Sequence, residues 1–118
     1  MTTSAAGQQP LIPQPPGTVT ALRQALAQIA PASLPAFTRE LDQAADQSRQ
    51  GADLAPLRRF VAQWAVYVHV QRQPRLASEL RHWEESAATA DATEARRAAT
   101  EIGRILGEAH AALSAPPR

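Results

Sequence analysis

Cysteine and lysine are both absent from this chain of 118 residues, and aromatic residues are scarce, at 4%. Without cysteine the chain has no disulfide, no thiolate nucleophile and no zinc site with cysteine ligands. Because its 12 permanently basic residues are all arginine, every strong cationic contact uses a planar guanidinium, which suits carboxylate pairing and aromatic stacking. No apolar run approaches the ~20 residues that a membrane-spanning helix needs.

The chain also has no large excess of positive or negative charge. The formal net charge of +1 creates no long-range field that would indicate nucleic acid or an anionic membrane as a partner. The first residues contain neither a basic start nor an apolar run of signal-peptide length. We therefore expect a cytoplasmic protein with no membrane partner, of a length that suits one modest domain.

Prolines dominate the beginning of the chain. Pro10, Pro13, Pro15 and Pro16 forbid a helix there and favour extended, polyproline-like backbone. The spacing of Pro13 and Pro16 also fits a ligand for a proline-binding groove, but such motifs recur by composition alone. The sequence thus predicts three parts: a flexible proline-rich leader over residues 1–17, a single helical domain over residues 18–113, and a flexible tail over residues 114–118.

Apolar residues after the leader recur at helical spacing, interrupted by residues that stop or start helices. Pro31 ends the first helical segment and Pro74 ends the third, since proline cannot continue a helix. Gly51 is expected to end the second helix in the left-handed conformation. These signals predict an all-α fold, a compact bundle of about five helices, with starts at Thr18 or Thr20, Ser33, Asp53, Arg75 and Asp91.

The run from Asp53 to Pro74 is the densest apolar segment. Val66, Val68 and Val70 alternate with other residues at the period of a strand, whereas the earlier apolar positions follow helical spacing. We interpret the run as the central helix, because no other segment offers a strand partner. The predicted structural core lies in this helix and the next one: Leu57, Phe60, Val61, Trp64, Val68, Leu80 and Trp83.

Small residues recur every four positions along the last predicted helix. Glycine inside a helix costs ~1 kcal/mol relative to alanine, so two glycines on one line indicate a purpose. We interpret the line as a helix-packing seam for close backbone approach, either by another helix of the chain or by a second copy in a homodimer. Its members are Ala95, Ala99, Gly103, Gly107 and Ala111.

Residues suited to catalysis are few and scattered. Glu79 and His82 have the Glu-x-x-His spacing of di-iron ligands, but the second pair that such a bundle requires is missing. His69 lies among apolar residues without a suitable nucleophile nearby in sequence. Phosphate-binding glycine loops, G-x-S-x-G turns and H-E-x-x-H helices are absent. We therefore expect a protein that is not an enzyme and holds no metal or cofactor.

Basic residues cluster around the corner that Pro74 makes between two helices. They are Arg72, Arg75, Arg81 and His82. Two helices joined by a tight turn loosely fit a DNA-binding helix-turn-helix, although acidic neighbours would oppose phosphate. The same four residues form the candidate surface for a protein partner.

Four stretches of the chain carry a family resemblance: PLIPQPP (residues 10–16), LPAFTRELDQA (34–44), DLAPLRRFVAQW (53–64) and EIGRILGEAH (101–110). Together they resemble a family of small actinobacterial all-helical proteins of unknown function. Genes of the wider family often lie beside genes for RelE/ParE-type toxin-like proteins. The resemblance therefore implies an antitoxin-like or accessory role with a toxin-like partner. The family supplies no established functional residues to transfer.

Three functions are compatible with the sequence. The leading one is a non-catalytic protein–protein interaction module, antitoxin-like or accessory to a toxin–antitoxin locus, because surplus apolar and small-residue helix surface accompanies the lack of a catalytic constellation. One alternative is a DNA-binding transcriptional regulator that uses the arginine-bearing helix pair. The other is a small-ligand or metal-binding bundle, which would need a polar-lined cavity near Trp64, His69 and Trp83.

Overall fold

The computed structural model describes residues 9–89 and 91–115, and these residues contain five α-helices and no strand. The predicted all-α fold of five helices is confirmed. The expected flexible leader and tail fall in part on residues 1–8 and 116–118, which lie outside the described residues. None of the helices in the described ranges is both long and apolar enough to cross a membrane. The helices are α1 (Val19–Ile29), α2 (Leu34–Gly51), α3 (Ala55–Gln71), α4 (Pro74–Thr89) and α5 (Ala92–Ser114), with a 3₁₀ turn at Pro31–Ser33.

The chain divides into two units, and the division falls between His69 and Val70, near the end of α3. The first unit, Ile12–His69, holds α1, α2 and most of α3. The second holds the remaining described residues, with α4 and α5. The predicted outer boundaries of the helical domain, at residues 18 and 113, stay a prediction.

Two helices begin with the capping chemistry that the sequence predicts. Thr18, rather than Thr20, caps α1, since its Oγ1 accepts a hydrogen bond of 3.1 Å from the backbone N–H of Ala21. At α5 the Oδ1 of Asp91 accepts from the backbone N–H of Glu94 at 2.9 Å. Each cap satisfies a backbone donor that the first turn of a helix leaves unpaired.

The end of α2 differs from the expectation by one residue. Gly51 is still helical, and the left-handed conformation belongs to Ala52, with φ of 51° and ψ of 43°. The backbone N–H of Asp53 reaches the carbonyl oxygen of Ser48 at 3.1 Å, the bond that closes a helix around a left-handed residue. The prediction of a left-handed Gly51 was therefore wrong, because this closing bond places the turn on the following residue.

The core of the first unit is built around Phe37, which is fully buried. Its ring centroid lies 5.0 Å from that of Phe60 and 5.2 Å from that of Trp64, the latter at an edge-on angle of 80°. Such tilted aromatic pairs are favourable beyond their burial alone. Of the predicted core residues, Phe60, Trp64 and Val68 are buried here, and Leu57 and Val61 are partly buried against them; Leu22, Ala25, Leu26 and Ala44 complete the buried set.

The alternating valines of α3 have a simple helical explanation. Residues two apart on a helix point about 200° apart, so Val66 and Val70 lie on the side opposite Val68. All three valines are buried. A period of two therefore arises here from a helix that is buried on two sides, and the interpretation of this run as a helix is confirmed.

Part of the proline-rich leader packs on the helical chain. Ile12 lies against the core of the first unit, and the side-chain amide of Gln14 donates a hydrogen bond of 3.4 Å to the backbone oxygen of Ala65. The side chain of Leu11 is exposed, but its backbone N–H donates to the carbonyl oxygen of Arg72 at 2.7 Å. These contacts place residues 11–14 against the folded chain.

In the second unit, α4 and α5 pack as a helical hairpin. Leu80, a predicted core residue, is buried, and Trp83 is half-buried under the guanidinium of Arg97, which lies 5.7 Å from the ring centroid. This distance fits a cation–π contact. The other buried apolar residues of the two helices are Ala77, Ala98, Ile105 and Ala109.

Candidate functional site

A polar groove of about 320 Å³ lies between α2 and α3 in the first unit. We call it the α2–α3 groove. Its polar lining is one carboxylate, one guanidinium and three side-chain amides, above a small apolar floor. The lining residues are Glu40, Gln43, Ala44, Gln47, Pro56, Arg59, Phe60 and Gln63.

The spacing of residues on the two helices explains why these side chains meet. Glu40, Gln43 and Gln47 are three and four residues apart, so they follow one edge of α2 beside its buried stripe. Arg59 and Gln63 are four apart and follow one edge of α3. Packing of the apolar stripes against each other brings the two polar edges to opposite sides of one groove.

Glu40 is fixed in position by the core. Its Oε1 accepts a hydrogen bond of 3.0 Å from the indole Nε1–H of Trp64, a residue that is 6% exposed. A buried indole N–H needs an acceptor, and an ionised carboxylate is a strong one. Within the described part of the chain Glu40 makes no ion pair. The carboxylate is therefore oriented by Trp64 while its charge is not neutralised by a neighbouring cation.

Arg59 lines the groove from α3. Its side chain is exposed, and it makes neither a hydrogen bond nor an ion pair with any described residue. Arg58 and Arg59 lie in the second turn of α3, and the first turn of that helix holds no acidic residue. On its α3 side the groove is therefore lined by one cation, Arg59, and by no carboxylate.

The side chains of the groove are suited to binding another molecule through hydrogen bonds and charge. Each glutamine amide offers two donors and an acceptor, and the guanidinium offers donors in a fixed fork. The lining residues include no hydroxyl, thiol or imidazole. The side chains present are suited to holding polar groups of another molecule.

The four residues predicted for partner or DNA binding lie on α4 and in the turn before it. Arg75 and His82 are exposed and seven residues apart, so they share one side of α4, whereas Arg81 lies about 100° further round the helix from His82. Arg72 is half-buried in the turn before α4, and this burial lowers the pKa of its guanidinium. On α4, Arg75 and His82 therefore share one side of the helix, and Arg81 lies on another.

The predicted small-residue seam faces away from the α4–α5 contact. A Cβ added at Gly103 or Gly107 would meet nothing within 4 Å, so no element of the described chain approaches these glycines closely. Helix α5 instead buries a neighbouring line of residues. The other interpretation of the seam, as a contact between two copies in a homodimer, stays a prediction. Of the seam residues, Ala95 is half-buried, and Ala99, Gly103, Gly107 and Ala111 are exposed.

Glu79, one half of the Glu-x-x-His pair, is engaged in an ion-pair network. Its Oε2 accepts from Nη2 of Arg104 at 2.8 Å, and Arg104 also reaches Glu101 at 3.0 Å and Glu108 at 3.4 Å. The hydrogen bond to Glu101, followed by the charges of Glu101 and Glu108, raises the pKa of the Arg104 guanidinium. Residues 9–89 and 91–115 contain no group of three or more side chains arranged to hold a metal.

Sequence reasoning missed the groove. The sequence pattern gives no prominence to Arg59 or to the three glutamines. The available signal was the spacing of Glu40, Gln43 and Gln47 at the edge of an apolar stripe. That spacing predicts a polar edge on α2, but it indicates a groove only when α3 is known to pack beside this edge.

Comparison of the chain with protein-family models, with curated proteins and with solved structures finds no significant match.

Proposed function

We propose that this protein is a non-catalytic protein–protein interaction module of the cytoplasm whose partner docks in the α2–α3 groove. The observation that carries the proposal is the lining of the groove. A guanidinium that makes no ion pair with the described residues lines the groove, together with three glutamine amides and a carboxylate that Trp64 holds in place.

The groove suits a polypeptide better than a small molecule. Small-molecule pockets are mostly apolar and enclose their ligand, whereas this groove is lined mainly by polar side chains. Peptide groups present alternating N–H donors and carbonyl acceptors. A glutamine amide can accept from the first and donate to the second. Arginine is also among the residues that contribute most to binding energy at protein interfaces.

The family resemblance makes a toxin-like protein the first partner to test. An antitoxin-like protein has to hold its partner without altering it, and a recognition groove without a nucleophile fits that task. Co-expression with a toxin-like protein encoded nearby would show directly whether the two form a complex.

The test of the groove is to fill it. Gln63→Trp places a large ring in the groove, and Gln28→Trp places the same ring on an exposed position of α1. Tagged full-length versions of both variants and of the unmodified chain are used to capture proteins from a lysate of the source organism. Circular dichroism checks that all three are equally folded.

We expect at least one protein to be retained by the unmodified chain and by Gln28→Trp, and to be lost with Gln63→Trp. If all three retain the same proteins, or if none retains any, the proposed function is wrong.

A further inference from the structure

We propose that the segment bound in the α2–α3 groove is acidic and that an aspartate or glutamate of the partner pairs with Arg59. This inference rests on the proposed function, since it names the chemistry of the partner that docks there. The observations behind it are the charges of Arg59 and Glu40, which make no ion pair with the described residues.

Arg59 is exposed, and its guanidinium is available to a partner. Its guanidinium makes no ion pair or hydrogen bond with the described residues, although Glu40 of α2 lines the same groove. A carboxylate is the planar group that matches the guanidinium fork with two parallel hydrogen bonds. The free donors of Arg59 therefore select a carboxylate as the complementary group.

Arg59 has a second cation beside it. Arg58 is its neighbour in the second turn of α3, and that helix contains no acidic residue. Asp53 is the acidic residue ahead of the helix, and its Oδ1 already accepts a hydrogen bond of 3.0 Å from the backbone N–H of Ala55. A carboxylate that approaches Arg59 from the α3 side thus meets two cations and no acidic side chain of that helix.

Glu40 makes the two sides of the groove chemically different, with a carboxylate on α2 and a guanidinium on α3. Glu40 and Arg59 line the same groove but do not form an ion pair with each other. Because Trp64 holds the carboxylate of Glu40, that side of the groove prefers a donor, such as a backbone N–H of the bound segment. The same fixed negative charge opposes a nucleic acid, whose phosphates repeat along the strand. A polypeptide with one well-placed carboxylate fits both sides.

The experiment compares two adjacent arginines. Arg58→Gln and Arg59→Gln remove the same charge from the same turn of α3, but only Arg59 lines the groove. The proteins that Gln63→Trp fails to capture are quantified with both variants. We expect Arg59→Gln to lower their capture about tenfold or more and Arg58→Gln to leave it within about twofold, as for loss of one partner of an interfacial charge pair.

A photo-cross-linking residue at Gln47 then identifies the bound segment. We expect the cross-linked peptide to contain aspartate or glutamate, and we expect Arg59→Glu to regain binding when that residue is changed to arginine. Equal capture by Arg59→Gln and the unmodified chain overturns the inference, as does a cross-linked segment without an acidic residue or a cross-link to nucleic acid. If Gln63→Trp still abolishes capture of a protein in those cases, the proposed function stands without this inference.

Discussion

The indole N–H of Trp64 donates a hydrogen bond of 3.0 Å to Oε1 of Glu40, and this bond joins the core of the first unit to the α2–α3 groove. The ring of Trp64 packs edge-on against Phe37, 5.2 Å between centroids, on the buried side of α3. One residue therefore packs in the core with its ring and orients a groove carboxylate with its nitrogen. The core therefore fixes the position of the Glu40 carboxylate. A substitution of Glu40 affects both the core and the groove.

Replacing Glu40 separates loss of the acceptor from loss of the charge. Glu40→Ala leaves the buried indole N–H without a partner, so we expect the free energy of unfolding to fall by about 1–3 kcal/mol. Glu40→Gln keeps an acceptor oxygen and should cost about 1 kcal/mol or less. Urea denaturation followed by tryptophan fluorescence measures both. Asp42→Ala, at an exposed position of the same helix, is the control; equal losses for Glu40→Ala and Asp42→Ala would show that the bond contributes nothing.

A second hydrogen bond joins the start of α2 to α3. The hydroxyl oxygens of Ser33 and Tyr67 are 2.6 Å apart, and Ser33 makes no side-chain cap at α2. Ser33→Ala and Tyr67→Phe each remove one partner, and the double variant removes both. We expect a coupling energy of about 0.5–1.5 kcal/mol in a double-mutant cycle measured by chemical denaturation. Strictly additive single effects would contradict a direct bond.

The helices could be predicted because their start and stop signals are local. Thr18, Pro31 and Asp91 act on backbone groups within one turn, so no tertiary information is needed to interpret them. The groove could not be predicted in the same way. Arg59 and Glu40 become neighbours of one cleft only through packing of α2 on α3, and a single sequence does not state which helix edges meet.

The side of α5 that would be buried was also ambiguous in sequence. Gly103 and Gly107 form a regular line, but Ile105 and Ala109 form another, and it is the second that the structure buries. Small residues permit close approach without requiring it, whereas a large apolar residue such as Ile105 gains free energy only when it is buried. The larger side chain is therefore the better guide to the packed side of this helix.

Removal of the Ser48 hydroxyl should stabilise the protein. Its Oγ is buried and has no hydrogen-bond partner among the described residues, and the residue lies within α2. Ser48→Ala removes an unsatisfied polar atom and improves helix propensity, so we expect the free energy of unfolding to rise by about 1–2 kcal/mol. Ser78→Ala, at an exposed position of α4, should gain only the propensity difference of about 0.5 kcal/mol. A smaller gain at Ser48 than at Ser78 would show that the buried hydroxyl is satisfied.

Alanine in place of the α5 glycines tests the predicted seam. Because a Cβ at Gly103 or Gly107 meets nothing within 4 Å, each substitution should raise the free energy of unfolding by about 0.5–1 kcal/mol. Thermal denaturation at several protein concentrations measures the gain. If the seam is a close homodimer contact, the added methyl groups will instead weaken association, and the melting temperature will fall most at high concentration. Gly51→Ala, also in open space at the end of α2, is the matched control.

Ala52 is the residue whose backbone should prefer glycine. Its φ of 51° lies in the left-handed region, where a Cβ costs about 1–2 kcal/mol, partly offset by the greater freedom of glycine in the unfolded chain. We expect Ala52→Gly to raise the free energy of unfolding by about 0.5–1 kcal/mol. The same substitution at Ala62, an exposed position inside α3, should lower it by about 1 kcal/mol. Ala52→Val should be the most harmful of the three, because a β-branched side chain is poorly tolerated at positive φ. Urea denaturation of the three variants decides the point, since a loss of stability in Ala52→Gly would mean that α2 does not close around a left-handed residue at this position.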